Sequence, residues 1–176
     1  MSLMCFHSSR LEARQSIDGG VILLNDQDKT LWDSEFIEKG FYYLQQASKW
    51  EITSTYYFEA SIAYWHTVDN SNSDKWPSIL KLYDVLLLAN HSPVIALNRI
   101  WALSKVHGNL VAITEAEILG LKTSHFYFIL LAELYKEINI SKTIEYLTEA
   151  LQLCKTNTEK EMIQKQINEL RKNPAS

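Results

Sequence analysis

Ten residues separate a short apolar run from the first long amphipathic segment: Leu24-Asn25-Asp26-Gln27-Asp28-Lys29-Thr30-Leu31-Trp32-Asp33. The stretch holds three acidic residues, two amides and a tryptophan. It is too polar for a core segment and too specific in composition for a spacer. Asp33 is placed to cap the helix that follows, because its carboxylate can accept the free N–H groups of the first turn and its charge suits the positive helix end.

Asp26 and Asp28 have no such capping role, and two arginines lie upstream of them. Arg10 and Arg14 are four residues apart, so on a helix they share one face. We therefore predict that the acidic stretch folds back onto this helix, with Trp32 packed beneath it. One of the two arginines would then pair with Asp26 or Asp28. Calcium binding by the two aspartates is an alternative, but the glycine and distal glutamate of an EF-hand loop are missing; contact with a partner protein is the third interpretation.

From Asp33 onward, apolar residues recur with the 3.6-residue period of an amphipathic helix. Five glycines and three prolines in 176 residues leave room for long uninterrupted helices. The predicted helical segments are 33–49, 54–66, 74–90, 93–106, 110–119, 124–135, 141–151 and 159–172. Because short turns separate most of them, the predicted fold class is all-α, with antiparallel helical hairpins stacked into a solenoid.

One predicted hairpin matches a known type of helical repeat more closely than the others do. The segment from Tyr127 to Tyr135, followed by Ile144 to Leu151, resembles one tetratricopeptide unit. The chain departs from that consensus at Thr143, Asn139 and Lys155, where Ala, Gly or Asp, and Pro are usual. Asn139 is expected in a left-handed turn, which Asn tolerates better than most residues, and Ser141 is expected to cap the second helix.

The first 32 residues differ from this regular pattern. A helix is predicted from Leu3 to Ala13 with no capping residue before it, as in a truncated domain whose natural chain begins further upstream. Residues 14–24 contain Asp18-Gly19 between residues that strands tolerate, which predicts a small β-hairpin or an extended arm, with an ordered loop as the alternative. The expected organisation is a truncated helix with its hairpin and acidic loop packed on the repeats (1–32), a tetratricopeptide-like domain (33–172) and a frayed tail (173–176).

The composition limits the functional classes. A hydrophobic fraction of 47% and a charged fraction of 22% are typical of a folded globular domain. The net charge of −4 argues against direct contact with DNA, which needs a basic face. Cys5 and Cys154 match no metal-ligand spacing, and no secretory signal or membrane-length apolar run is present. A cytoplasmic protein with free thiols and no membrane contact is therefore expected.

The sequence offers no catalytic set. It has no glycine-rich phosphate loop, no Gly-x-Ser-x-Gly elbow and no His-Glu-x-x-His spacing among its five histidines. His66, beside two aromatic residues, is interpreted as a packing histidine rather than a ligand. Asn98 and Arg99 interrupt an apolar helix; a buried Arg99 would need a carboxylate such as Asp84 or Glu59, unless this side chain lies on the solvated face. No enzyme activity, cofactor or metal is expected.

Three segments together resemble a known family: Leu3-Met4-x-x-His7-x-x-Arg10-x-x-Ala13-Arg14, Leu23-Leu24-x-Asp26-Gln27-Asp28-x-x-x-Trp32-Asp33, and Ser92-Pro93-Val94-x-Ala96-Leu97-Asn98-Arg99. They look like the C-terminal extension of a group of extracytoplasmic-function sigma factors, in which two sigma regions are followed by a tetratricopeptide-like helical domain. The resemblance covers nearly the whole chain in order. Lys29 stands where that family usually has Arg, which keeps the charge but loses the fork geometry of a guanidinium.

The resemblance implies a regulatory, protein-interaction domain of a sigma factor, without the sigma regions that bind promoter DNA and core RNA polymerase. Its partners would be its own sigma regions or linker, or the polymerase core. A concave face lined by the helices that carry Tyr57, Asn98 and Tyr127 is the expected docking surface. Two other interpretations remain open: a stand-alone helical-repeat scaffold, and a small-ligand-binding domain or enzyme with a pocket between hairpins.

Overall fold

A computed structural model describes residues 1–14, 22, 24–50 and 54–172. The chain forms two compact units, Met1–Asn90 and His91–Ser176. Both are built from packed α-helices, and the described residues include no strand. The all-α class is therefore confirmed, and the packing of helices that follow one another in sequence is consistent with a helical repeat. Most of the predicted arm at residues 14–24, and the predicted tail at 173–176, lie outside the described residues.

In its described residues, the first unit has four α-helices and three short 3₁₀ turns. The helices are α1 (Ser2–Ser8), α2 (Ser34–Ala47), α3 (Thr55–Thr67) and α4 (Lys75–Ala89). The 3₁₀ turns are Glu12–Arg14, Leu24–Asp26 and Lys29–Leu31. α1 packs on both α2 and α3, and α3 packs on α4. The core forms where Phe6 meets Leu44 of α2 and two alanines of α3.

The predicted helix from Leu3 to Ala13 was too long, since α1 ends at Ser8. The Ser9 hydroxyl donates to the Phe6 carbonyl at 2.9 Å, a local bond that competes with continued helix. The Ser9 carbonyl instead accepts from the backbone N–H of Asp33 at 2.9 Å. The chain therefore leaves the helix early because the returning acidic loop takes its place.

Up to residue 172, where the described part ends, the second unit has five helices in sequence: α5 (Pro93–His107), α6 (Asn109–Leu119), α7 (His125–Tyr135), α8 (Ile140–Leu153) and α9 (Asn157–Lys172). Each packs on the next, and the tetratricopeptide-like pair α7 and α8 has the most extensive contact. Asn139 has extended backbone and caps α8 by accepting from the Lys142 N–H, so its predicted left-handed conformation and the predicted cap at Ser141 were wrong. An Asn side chain in extended backbone is a strong N-cap, and it starts the helix two residues earlier.

Two helices of this unit end at a glycine with positive φ. We expect substitution of these two glycines to have different costs in stability. Gly108 has φ 86° and ψ 162°, a region that only glycine adopts readily, whereas Gly120 has φ 61° and ψ 35°, which Asn also tolerates. Gly108→Asn is expected to lower the free energy of unfolding by about 1–3 kcal/mol. Gly120→Asn is the matched control and should cost less than about 1 kcal/mol. Urea unfolding of both variants measures the difference, and equal costs would contradict this assignment.

Candidate functional site

The acidic loop does fold back beside α1, as predicted. Besides the bond between Asp33 and Ser9, the 3₁₀ turn Lys29–Leu31 packs on the turn Glu12–Arg14. Asp28 opens the first of these turns, because its Oδ1 accepts from the Thr30 N–H at 2.9 Å and the Thr30 hydroxyl at 2.7 Å. Asp33 caps α2 through the Phe36 N–H at 3.1 Å, also as predicted. Each aspartate therefore fixes the start of the element that follows it.

Trp32 packs beneath the acidic loop, and two cations lie close to its ring. One is Arg10, which follows α1, and the other is Lys29 of the loop itself. The indole is 9% exposed, the Arg10 guanidinium carbon lies 5.7 Å from the ring centre, and the Lys29 ammonium lies 5.8 Å from it. Arg10 is 6% exposed and its Nε donates to the Phe6 carbonyl at 3.3 Å. An aromatic face attracts such cations electrostatically, and more strongly when water is excluded.

The predicted ion pair of Arg10 or Arg14 with Asp26 or Asp28 is not formed, as far as the described residues go. Asp26 is exposed, and the Asp28 carboxylate is engaged by Thr30. A hydrogen bond between residues two positions apart in the chain costs less chain entropy than a bond to a distant segment. Both arginines approach the imidazole of His7 instead, with their Nη2 atoms 3.3 Å and 3.0 Å from His7 Nδ1. Burial and the two guanidinium charges lower the pKa of His7, so the neutral ring accepts.

Gln27 ties the loop to the preceding segment. Its Nε2 donates to the Ile22 carbonyl at 3.1 Å, and the Ile22 N–H donates to the Arg14 carbonyl at 2.8 Å. Gln27 Oε1 and Trp32 Nε1 are both buried, and neither has a hydrogen-bond partner in the part of the chain that the structure describes. The motif residues Arg10, Gln27 and Trp32 are all buried, and each carries polar atoms. Burying a polar atom costs free energy unless it is hydrogen-bonded.

A further cation, which the sequence analysis missed, belongs to the same unit. Lys75 is 2% exposed, and its Nζ donates to the Val68 carbonyl at 2.7 Å and to Asn70 Oδ1 at 2.8 Å. Burial, together with the charge of Lys29, lowers its pKa to about 8, although Asp69 opposes the shift. A lysine in the first turn of a helix faces the positive end of the dipole, and that was the available sequence signal.

We call Arg10, Arg14, Lys29 and Lys75 the cationic cluster. Within residues 1–14 and 24–90, so far as they are described, none of the four forms an ion pair with a carboxylate. His66 packs edge-on against Trp76, with ring centres 6.1 Å apart, as the packing interpretation predicted. Burial, followed by the charges of Lys75, Arg10 and Lys29, lowers the pKa of His66 to about 4. The charges of Lys75, Arg10 and Lys29 thus act on one buried imidazole, while Asp69 lies close enough to Lys29 and Lys75 to interact with both charges.

The two polar residues predicted inside α5 lie in different surroundings. Asn98 is exposed, so its presence in the helix needs no buried partner. Arg99 is half-buried, and its Nη1 donates to Glu115 Oε2 of α6 at 2.5 Å. Glu115 is a partner that the sequence analysis did not name. Tyr127, on the third helix expected to line a concave face, is buried at 3% exposure and so cannot be part of a contact surface.

The second unit also has an open cleft of about 310 Å³. It is lined by Trp101, Ser104, Lys105, Asn109, Glu133, Lys136 and Glu137. The Lys105 ammonium lies 3.9 Å from the Trp101 ring centre, so one wall combines an aromatic face with a cation. The residues that line the cleft include no histidine or cysteine, and the Ser104 hydroxyl donates to the Trp101 carbonyl at 2.7 Å. Among the helices that the structure describes, none is long and apolar enough to cross a membrane.

Residues 1–48 match a family of unknown function, DUF6596. The chain is also 32% identical, over 128 residues, to the uncharacterized protein R00370 of Rhizobium meliloti strain 1021. That match covers 72% of this chain and 30% of the Rhizobium protein, so the chain spans less than a third of the length of the curated relative it matches. No solved structure matches the chain significantly. The family match spans α1, the turn that follows it, the acidic loop and α2, and it includes Arg10, Arg14 and Lys29 of the cationic cluster.

Proposed function

We propose that this chain is the C-terminal regulatory domain of an extracytoplasmic-function sigma factor, and that it acts in transcription initiation by binding protein. It catalyses no reaction and makes no direct contact with promoter DNA. The observation that supports this proposal is the convergence of the residues that carry the resemblance. Arg10 and Trp32 come from separate segments and are buried close to each other, Gln27 of the same loop as Trp32 is also buried, and Asp33 joins that loop to both α1 and α2.

The charge of this cluster suggests the chemistry of the partner. Arg14 and Lys29 are at least partly exposed, whereas Arg10 and Lys75 are buried. Exposed cations attract acidic segments, and charge complementarity raises the association rate and selects the partner. We infer that the partner presents acidic side chains here. It is either the sigma regions and linker of the same protein, whose tethering gives a high effective concentration, or the RNA polymerase core.

The Rhizobium relative is compatible with this arrangement. The region that matches this chain makes up 30% of that protein, so there the matched region lies within a longer chain. A regulatory domain attached to sigma regions would have this organisation. A native reading frame that encodes no sigma regions upstream would contradict the proposal and favour a stand-alone scaffold.

Charge reversal at one exposed lysine tests the proposed surface. Lys29→Glu should weaken binding of this domain to the sigma regions supplied in trans by roughly tenfold, or about 1.4 kcal/mol, because it places a carboxylate opposite an acidic partner. Lys39→Glu is the matched control: Lys39 lies 5.6 Å from the Phe36 ring centre, as Lys29 does near Trp32, but on α2 outside the cluster. Isothermal titration calorimetry at two salt concentrations measures both variants.

Lys29→Glu should bind the sigma regions more weakly than either the wild type or Lys39→Glu. Binding by the wild type and by Lys39→Glu should match within about twofold and weaken as salt rises. Equal affinities of Lys29→Glu and wild type would contradict the cationic surface. Tight, sequence-specific binding of this chain to promoter DNA would contradict the assigned role, because specific base contacts would then have to come from this domain.

A further inference from the structure

Three side chains of metal-ligand type meet in the second unit, where three helices approach one another. His125 is the first residue of α7, Cys154 directly follows α8, and Glu159 lies in the first turn of α9. One nitrogen, one sulfur and one oxygen from these residues all lie within 4.8 Å of one another. His125 Nε2 is 3.6 Å from Glu159 Oε1. No sequence spacing connects the three residues, so their proximity is a product of the fold.

The arrangement of each group favours metal binding. His125 Nε2 is buried and has no hydrogen-bond partner within the described part of the chain. The Thr156 hydroxyl donates to Glu159 Oε2 at 2.7 Å, which leaves the other carboxylate oxygen directed toward His125. Such a bond from outside orients a carboxylate in many metal sites. Cys154 is 4% exposed and lies close to both groups as a free thiol.

We propose that His125, Cys154 and Glu159 form a binding site for a zinc ion, with the fourth coordination position left for water or for a ligand from a partner. Nitrogen, thiolate sulfur and carboxylate oxygen are the three donor types that Zn²⁺ takes in proteins. Bond lengths of about 2.0–2.3 Å require the three atoms to close to roughly 3.5 Å from one another, which side-chain rotation can supply. Binding replaces the thiol proton of Cys154, which leaves to solvent, so no redox step is involved.

The site would join α7, α8 and α9, and so fix the last helix of the chain. α9 contacts α8, and its exposed face is rich in charge, so a metal link adds a constraint that its packing alone does not provide. The inference is independent of the proposed function, because it concerns only residues of the second unit. The competing explanation is an ordinary ion pair between His125 and Glu159 beside a cysteine that packs as a small apolar residue.

Cobalt substitution distinguishes the two explanations. We expect the full chain, stripped with a chelator, to bind one Co²⁺ and to show the thiolate-to-cobalt charge-transfer absorption that only a cysteine ligand produces. Zn²⁺ should displace the signal and raise the melting temperature. Cys154→Ser should abolish the absorption, whereas Cys5→Ser, the other buried free cysteine, should retain it. Substoichiometric binding, or equal absorption in wild type and Cys154→Ser, would overturn the site.

Two further variants test the Glu159 ligand without leaving a cavity at a buried position. Glu159→Gln removes a charged ligand. Because this side chain is half-exposed, the variant should still fold, so it tests the site even if Cys154→Ser does not fold. We expect it to weaken Co²⁺ binding more than Thr156→Val, which removes only the orienting hydroxyl and should cost about 10–100-fold. His107→Gln, an exposed histidine elsewhere in the same unit, is the control and should leave Co²⁺ affinity unchanged. Unchanged affinity in Glu159→Gln would assign the cluster to an ion pair.

Discussion

Replacing Phe6 by alanine is expected to lower the free energy of unfolding by about 3–5 kcal/mol. The ring is 0% exposed and packs with Leu44, Ala60 and Ala63, so it joins α1 to α2 and α3. Its removal would leave a cavity at the point where three helices meet, and small residues on the facing helices cannot fill it. Urea unfolding measures the loss as a lower midpoint at unchanged slope.

Gly40 supplies an independent check on the same contact. A Cβ added at Gly40 would lie 2.8 Å from Cε1 of the Phe6 ring, so this helical glycine makes room for the aromatic side chain. Glycine inside a helix ordinarily costs about 0.5–1 kcal/mol relative to alanine. In the Phe6→Ala protein, Gly40→Ala should therefore raise stability, whereas in the wild type it should lower it. Tyr56→Ala, at 71% exposure in the same unit, is the control and should change stability by less than about 0.5 kcal/mol.

Identical losses in Phe6→Ala and Tyr56→Ala would contradict the placement of α1 between α2 and α3. A Gly40→Ala effect of the same sign in both backgrounds would contradict the close approach of the ring to the helix backbone.

The helices after Asp33 were predictable because local signals agree with the pattern of burial. Asp33 and Ser54 cap α2 and α3 through their side chains, Pro93 begins α5, and Gly108 ends it. Each of these residues acts within its own turn, so no knowledge of distant contacts is needed. The errors fall where a distant or competing contact decides. α1 ends early because the Asp33 N–H bonds to the Ser9 carbonyl, and no sequence pattern encodes that bond.

The candidate site was predictable only in part, for a similar reason. The loop's return to α1 followed from the position of its charged and aromatic residues. The predicted ion pair failed because Asp28 finds both its donors on Thr30, two residues away. Lys75 was missed because its carbonyl and amide acceptors come from the loop before α4, whose path the sequence does not specify. The cluster of His125, Cys154 and Glu159 depends entirely on how three helix ends meet.

Lowering the pH from 7 to 4 is expected to destabilise the first unit through His66 by about 3 kcal/mol. Burial, followed by the charges of Lys75, Arg10 and Lys29, lowers the pKa of His66 to about 4 from its ordinary value of 6.5. Above pH 6.5 the ring is neutral in both folded and unfolded chains, so the full stability is present. Between pH 6.5 and about 4, the unfolded chain takes up the proton and the folded one does not, and stability is lost as the pH falls.

The difference between the wild type and His66→Gln isolates this contribution. Carboxylates such as Asp28 and Asp69, whose pKa values hydrogen bonds lower, also lose stabilising interactions in acid, but they do so in both proteins. Urea unfolding at half-unit steps from pH 7 to 4 should therefore give a steeper decline for the wild type. The His107→Gln control, at an exposed position, should follow the wild-type curve. Parallel curves for the wild type and His66→Gln would mean that His66 takes up its proton in the folded state, which requires that the ring be more accessible to water than its burial indicates, or that the cations around it be further away.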